Sequence, residues 1–386
     1  MTIHARRLAA CAGLACVLGI AACGSSDLDS RLERRAAELR QEYRMPGLQV
    51  ACALPDGRVV RVAAGLADST TGAAMTTAHL LPAGSVGKTG LAAVVLSLVQ
   101  DGTLDLDAPV SRWLGDEPWF ARLPNAGPAL TLRRLMNHAS GLPDHLETDA
   151  FVAFCREMVR PGGTPDAVLS PREAVSFILD QEPLFPVGEG FRYTDTAYLV
   201  AGLVVERATG RAYYDLLRER FLEPLGFDGI VPQDRRDLPG VANGYVAADN
   251  PFGMPTHTLD PDGRFNHNPV LEWTGGGLVT RSGDLARWIR LLYGGTLLAA
   301  PYLDDLLRGQ PMPSDFKGPG RYGLAVFVQD SPRGELRWHS GYYPGYNTMA
   351  RYWPDRDLAL VVQVNRDHDT HLAEVCAELE RVVFGD

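Results

Sequence analysis

The chain has 386 residues, 46% of them hydrophobic and 22% charged, with a formal net charge of −10. That much apolar material builds a substantial core and excludes an intrinsically disordered protein, and the length fits two domains or one composite domain. The acidic balance argues against a nucleic-acid partner, which calls for a basic face. Of 37 basic residues only Lys88 and Lys317 are lysine, so a lysine inside a motif carries weight.

In chain order, Arg6 and Arg7 precede an unbroken apolar or small run from Leu8 to Ala22. Fifteen residues are too few to span a bilayer as a helix and fit a secretory signal. The run ends Ile20-Ala21-Ala22-Cys23, followed by Gly24-Ser25-Ser26, which resembles a bacterial lipobox. The expectation is therefore a signal peptide over 1–22, a lipidated Cys23 and a polar linker through residue 30. With Gly24 rather than Asp after the cysteine, the expected anchor is the outer membrane, facing the periplasm, and the lipid is the only expected membrane contact. Cys52, Cys155 and Cys376 remain, an odd number that gives no disulfide framework. Cys52, inside an apolar run, reads as a buried structural thiol.

A charged amphipathic helix is expected over 31–44, then strands at 48–54 and 58–65 joined by Pro55-Asp56-Gly57. A long apolar helix follows over about 85–100, stopped by Asp101-Gly102. Residues 108–270 alternate short helices with Pro- and Gly-rich loops. After Thr274-Gly275-Gly276-Gly277 come a helix at 283–294, strands at 322–329, 335–339, 346–352 and 358–365, and a final helix at 371–383. Strands at both ends with a helical middle imply one sheet built from distant segments beside a helical insertion.

The chemistry begins at Gly84-Ser85-Val86-Gly87-Lys88-Thr89-Gly90. A phosphate loop needs a glycine six residues before its lysine, and Pro82 stands there instead. The alternative is Ser-x-x-Lys. Residues three apart share a helix face, so Lys88 reaches the hydroxyl of Ser85. Burial on an apolar helix would lower the basicity of Lys88 and suit it to take the serine proton. Ser85 at the helix N-terminus offers its backbone N–H to a developing oxyanion. The signature Gly-x-Ser-x-Gly of other serine hydrolases is absent from the sequence.

Ser85-Val86-Gly87-Lys88, Leu98-Val99-Gln100-Asp101-Gly102, Leu135-Met136-Asn137-His138-Ala139-Ser140-Gly141-Leu142, Glu223-Pro224-Leu225-Gly226 and Gly276-Gly277-Leu278-Val279 occur in the order of the serine β-lactamase family. The stretch from about 45 to 370 resembles its class C, D,D-peptidase, D-aminopeptidase and family VIII esterase branches. The resemblance implies an α+β fold, β-lactamase/transpeptidase-like, with an antiparallel sheet flanked by helices plus an all-helical subdomain. The hydrolase domain would occupy 31–386, with its α/β part at about 31–84 and 275–386 and its helical part at about 85–274.

Tyr193-Thr194-Asp195 stands in place of the family's Tyr-x-Asn. Near Lys88 the Tyr193 hydroxyl should have a lowered pKa suited to general-base work, while Asp195 should pair with Lys88 and keep it charged. Asp195 also reads as a helix N-cap. The family's Lys-Thr-Gly is matched by His339-Ser340-Gly341, a supporting, substrate-binding strand whose next residue, Tyr342, would give the second oxyanion N–H.

A histidine at 339 would titrate near neutral pH unless an acid raised it, leaving neutral esters favoured over carboxylate-bearing substrates. His138 is expected to order its own loop. His368 and His371 beside Asp367 lack a third well-placed ligand, and neither a metal nor a cofactor is expected. The implied activity is hydrolysis of a small-molecule ester, amide or peptidoglycan-derived substrate through an acyl-enzyme on Ser85, with Lys88 and Tyr193 moving protons. The alternative is a penicillin-binding receptor that acylates with little turnover.

Overall fold

A computed structural model describes residues 18–298 and 300–386, with side chains from residue 27 onward. The signal peptide expected over 1–22 and the lipidation expected at Cys23 lie outside the residues described in full. The first helix spans Leu18–Glu42, so the stretch 24–30 that reads as a linker continues that helix.

Nine antiparallel strands form the main sheet, in the spatial order β3 (Ala73–Ala74), β2 (Val59–Asp68), β1 (Gly47–Ala53), β12 (Leu358–Val364), β11 (Tyr346–Trp353), β10 (Gly334–Tyr343), β9 (Phe327–Ser331), β8 (Arg321–Tyr322) and β7 (Gln310–Pro311). Segments from near the two ends of the chain meet in its interior, where β1 pairs with β12 in the register Val50↔Val362. Both strands are buried along their whole length. Successive side chains of a strand point to opposite faces. Val50 and Cys52 accordingly join Leu32, Leu39, Val375 and Leu379 of the terminal helices in one core. Ala51 and Ala53 join Trp288 and Ile289 of the helix Ser282–Tyr293 in the other.

A second sheet of three short strands, β4 (Leu81–Pro82), β6 (Leu278–Thr280) and β5 (Ile230–Pro232), places the site. Its pairing of Leu81 with Thr280 sets the turn after β4 against the glycine run before β6. That turn, Gly84–Gly87, is a 3-10 turn, and the α-helix begins at Lys88 and runs to Gln100. The helix is buried from Lys88 through Leu96, because it is apolar nearly all round. A lysine at its first position is thereby held in the interior.

Candidate active site

Lys88 is wholly buried. Its Nζ donates to Ser85 Oγ at 2.9 Å, and also to Asp195 Oδ1 and the carbonyl of Gly275. Burial alone would lower its pKa, but the Asp195 carboxylate, with Tyr193 and Glu272 behind it, outweighs burial and raises it. Lys88 is therefore an ammonium, which corrects the expectation of a lysine made less basic by burial. Asp195 keeps it charged, as its place in the sequence suggests. Asp195 opens the helix Asp195–Thr209, and Thr194, rather than Asp195, occupies the N-cap position.

Tyr193 stands over this pair, its ring centroid 5.2 Å from Lys88 Nζ. Its hydroxyl is buried beside Ser85 and Lys88, both of which draw its pKa down, but among the described residues it makes no hydrogen bond of ordinary geometry. Burial pushes its pKa up to about 12 against the pull of the Lys88 ammonium. The expected lowering of that pKa is thus reversed: the cost of burying a phenolate exceeds what one nearby cation returns.

His138 does more than order its own loop. The Arg192 N–H donates to the His138 carbonyl at 3.0 Å, and the Thr194 N–H donates to His138 Nδ1 at 3.2 Å. Both neighbours of Tyr193 are thereby tied to one histidine, whose ring lies 4.1 Å from the Tyr193 ring. The same strap reaches further. The Thr194 hydroxyl donates to the Pro143 carbonyl, the Asp195 N–H to Asp144 Oδ2, and the Tyr198 hydroxyl to the Met136 carbonyl.

The strand β10 closes the other side. A Cβ on Gly84 would come within 2.6 Å of Tyr342 N, and one on Gly341 would run into the Ala83 carbonyl oxygen, so the serine turn and the strand edge touch backbone to backbone. Tyr342 itself is 45% exposed at the edge. His339 is buried, with Nε2 2.8 Å from the Tyr322 hydroxyl and Nδ1 2.7 Å from the Ser340 carbonyl oxygen. Burial, helped by Lys88, pushes its pKa down to about 3. His339 is neutral across the physiological range, which corrects the expectation of a group titrating near neutrality.

Two groups carry no signal in the sequence. Asp144, buried, has its pKa raised to about 7 by burial and by Asp195. Glu272 has its pKa raised to about 8 by the same two causes. Neither belongs to a spacing pattern; the glycine run after Glu272 is the only local hint. Ser85 lies between two cavities. One, of about 160 Å³, is walled by Leu146, Phe151, Phe252 and Met254 with Glu272 and Asp195. The other, of about 220 Å³, is walled by Tyr193, Phe316, Lys317, Phe327 and His339.

A family model described as Beta-lactamase matches residues 32–383. The chain belongs to the beta-lactamase family. It is 26% identical over 333 residues to penicillin-binding protein 4* of Bacillus subtilis, covering 83% of this chain and 68% of that one. It is 32% identical over 248 residues to esterase EstB of Burkholderia gladioli, covering 62% and 57%. The matches thus span between about half and two thirds of the length of such curated relatives. Among solved structures, the D-amino acid amidase of Ochrobactrum anthropi SV3 superposes with a TM-score of 0.75 at 25% identity, covering 93% of this chain and 99% of that one. A D-stereospecific amidohydrolase from Streptomyces sp. superposes equally well, covering 90% and 99%. These relatives support a serine hydrolase, and the α+β fold is the one they share.

Proposed function

We propose that this beta-lactamase family member is an exported serine hydrolase that cleaves an ester or amide bond through an acyl-enzyme on Ser85. The observation that carries the reading is the 2.9 Å contact from a charged, immobilised Lys88 to Ser85 Oγ, which favours the oxygen as it gains negative charge. Attack forms the bond from Oγ to the carbonyl carbon. The serine proton passes to the Tyr193 oxygen while Tyr193 gives its own proton to the departing nitrogen or oxygen. Such a relay never requires a free phenolate, and so agrees with a hydroxyl that ionises only at about 12. Water then repeats the sequence and frees the acid. The N–H groups of Ser85 and Tyr342 would hold the oxyanion. The apolar cavity beside Ser85 fits a substrate with a large apolar acyl side chain.

Intact-mass spectrometry after brief exposure to an activated ester should show an adduct on the Ser85 peptide, and Ser85→Ala should abolish adduct and turnover. An alanine variant with full activity would refute the mechanism, and an adduct that never hydrolysed would mark the receptor reading. The envelope anchor is proposed from Cys23 and its context. Cys23→Ser should release the protein from the membrane fraction, and an unmodified, soluble wild type would remove that assignment.

A further inference from the structure

The two cavities that meet at Ser85 differ in charge. The first holds two acids, Asp195 and Glu272, among apolar walls. The second holds no acid, and its one cation is Lys317. Lys317 is exposed, lines this cavity, and among the described residues makes no ion pair within 4.0 Å. Its backbone is not free to drift. Gln329 Nε2 donates to the Lys317 carbonyl at 2.9 Å and to the Pro319 carbonyl at 3.0 Å, and Lys317 sits at a φ of 60°, a left-handed conformation that such contacts must hold. The preceding residue, Phe316, packs 6.1 Å from the Tyr193 ring. The loop thus presents an unpaired ammonium on the side of Ser85 where Tyr193 stands.

We propose that Lys317 is a specificity-determining residue that receives a carboxylate on the leaving-group side of the substrate. The inference rests on the hydrolase reading above, in which Tyr193 protonates the departing atom and so places the leaving group in this cavity. His339, neutral and held by Tyr322 and Ser340, offers no cation there. Lys317 would supply one from a different element, so an anionic leaving group would be favoured where the sequence alone leads to neutral esters.

The test compares phenyl acetate with 3-acetoxybenzoate, whose leaving groups differ by one carboxylate, in wild type, Lys317→Met and Lys317→Arg. The ratio of kcat/KM for the anionic ester to that for the neutral ester should fall about tenfold in the methionine variant and largely return with arginine. Added salt should lower the wild-type ratio and leave that of the methionine variant level. An unchanged ratio in Lys317→Met, or no recovery with arginine, overturns the proposal. A separate arm removes the chemistry: in a Ser85→Ala background, NMR titration with 3-acetamidobenzoate should give a Kd about tenfold weaker when Lys317→Met is added. Equal Kd values overturn the Lys317 assignment, whereas a wild type that hydrolyses neither ester and forms no Ser85 adduct with an activated ester overturns the hydrolase reading and leaves this titration to decide Lys317.

Discussion

Three carboxyls surround one ammonium, and only Asp195 is paired with it directly. Asp144 and Glu272 are desolvated and face the partly buried charge of Asp195, so both hold their protons to unusually high pH. For Asp144 the consequence is a stability profile. Unfolded, its carboxyl ionises at about pH 3.9; folded, only at about 7. Between those values the native state binds the extra proton, so stability falls as pH rises from about 4 to about 7 and is level above. Asp144→Asn keeps an acceptor for the Asp195 N–H and removes the titration. It should gain on wild type across that window, by on the order of 2–4 kcal/mol at pH 8, in urea unfolding at pH 4.5, 6 and 8. A difference that does not vary with pH would refute it. Ser85 and Lys88 are legible in the sequence because their partnership is local. The states of Tyr193, His339 and Asp144 depend on burial by distant segments, which spacing does not encode.

The strap from Met136 to Asp144 shows the same limit at the scale of an element. Its His-x-Ser-Gly-Leu pattern is legible, but the segment it grips lies more than fifty residues away. His138 adopts a left-handed φ of 59°, and its side chain and carbonyl both serve the backbone around Tyr193. His138→Ala should lower kcat at least about tenfold with little change in KM, because Tyr193 loses its position while the apolar cavity walled by Leu146, Phe151, Phe252 and Met254 stays intact. His138→Asn accepts the same N–H and tolerates the left-handed backbone, so it should recover part of the loss. His138→Gly relieves the backbone but supplies no acceptor, and should not. Equal recovery by glycine and asparagine would show that backbone conformation alone matters.

Across the whole molecule, the sheet built from both chain ends is legible in the alternation of strands and helices, and β1 beside β12 realises it. How the separate segments close on one another is not, because a glycine in the sequence does not name the backbone it will touch. Gly87 is the clearest case. Its φ of −62° suits any residue, so alanine there carries no conformational penalty. A Cβ would nevertheless overlap the Gly276 carbonyl oxygen, next to the Gly275 carbonyl that holds Lys88. Both partners are backbone, so neither side chain can turn aside. Gly87→Ala should therefore cost about 3 kcal/mol or more of stability and push the glycine run away from Lys88, with kcat/KM down at least about a hundredfold. Gly127, whose Cβ would meet nothing closer than 3.9 Å, is the matched control, and Gly127→Ala should stay within about 0.5 kcal/mol of wild type. Thermal unfolding and kcat/KM measured on both variants decide it: a Gly87→Ala protein as stable and active as Gly127→Ala would mean that the serine turn and the glycine run are not held in contact in solution.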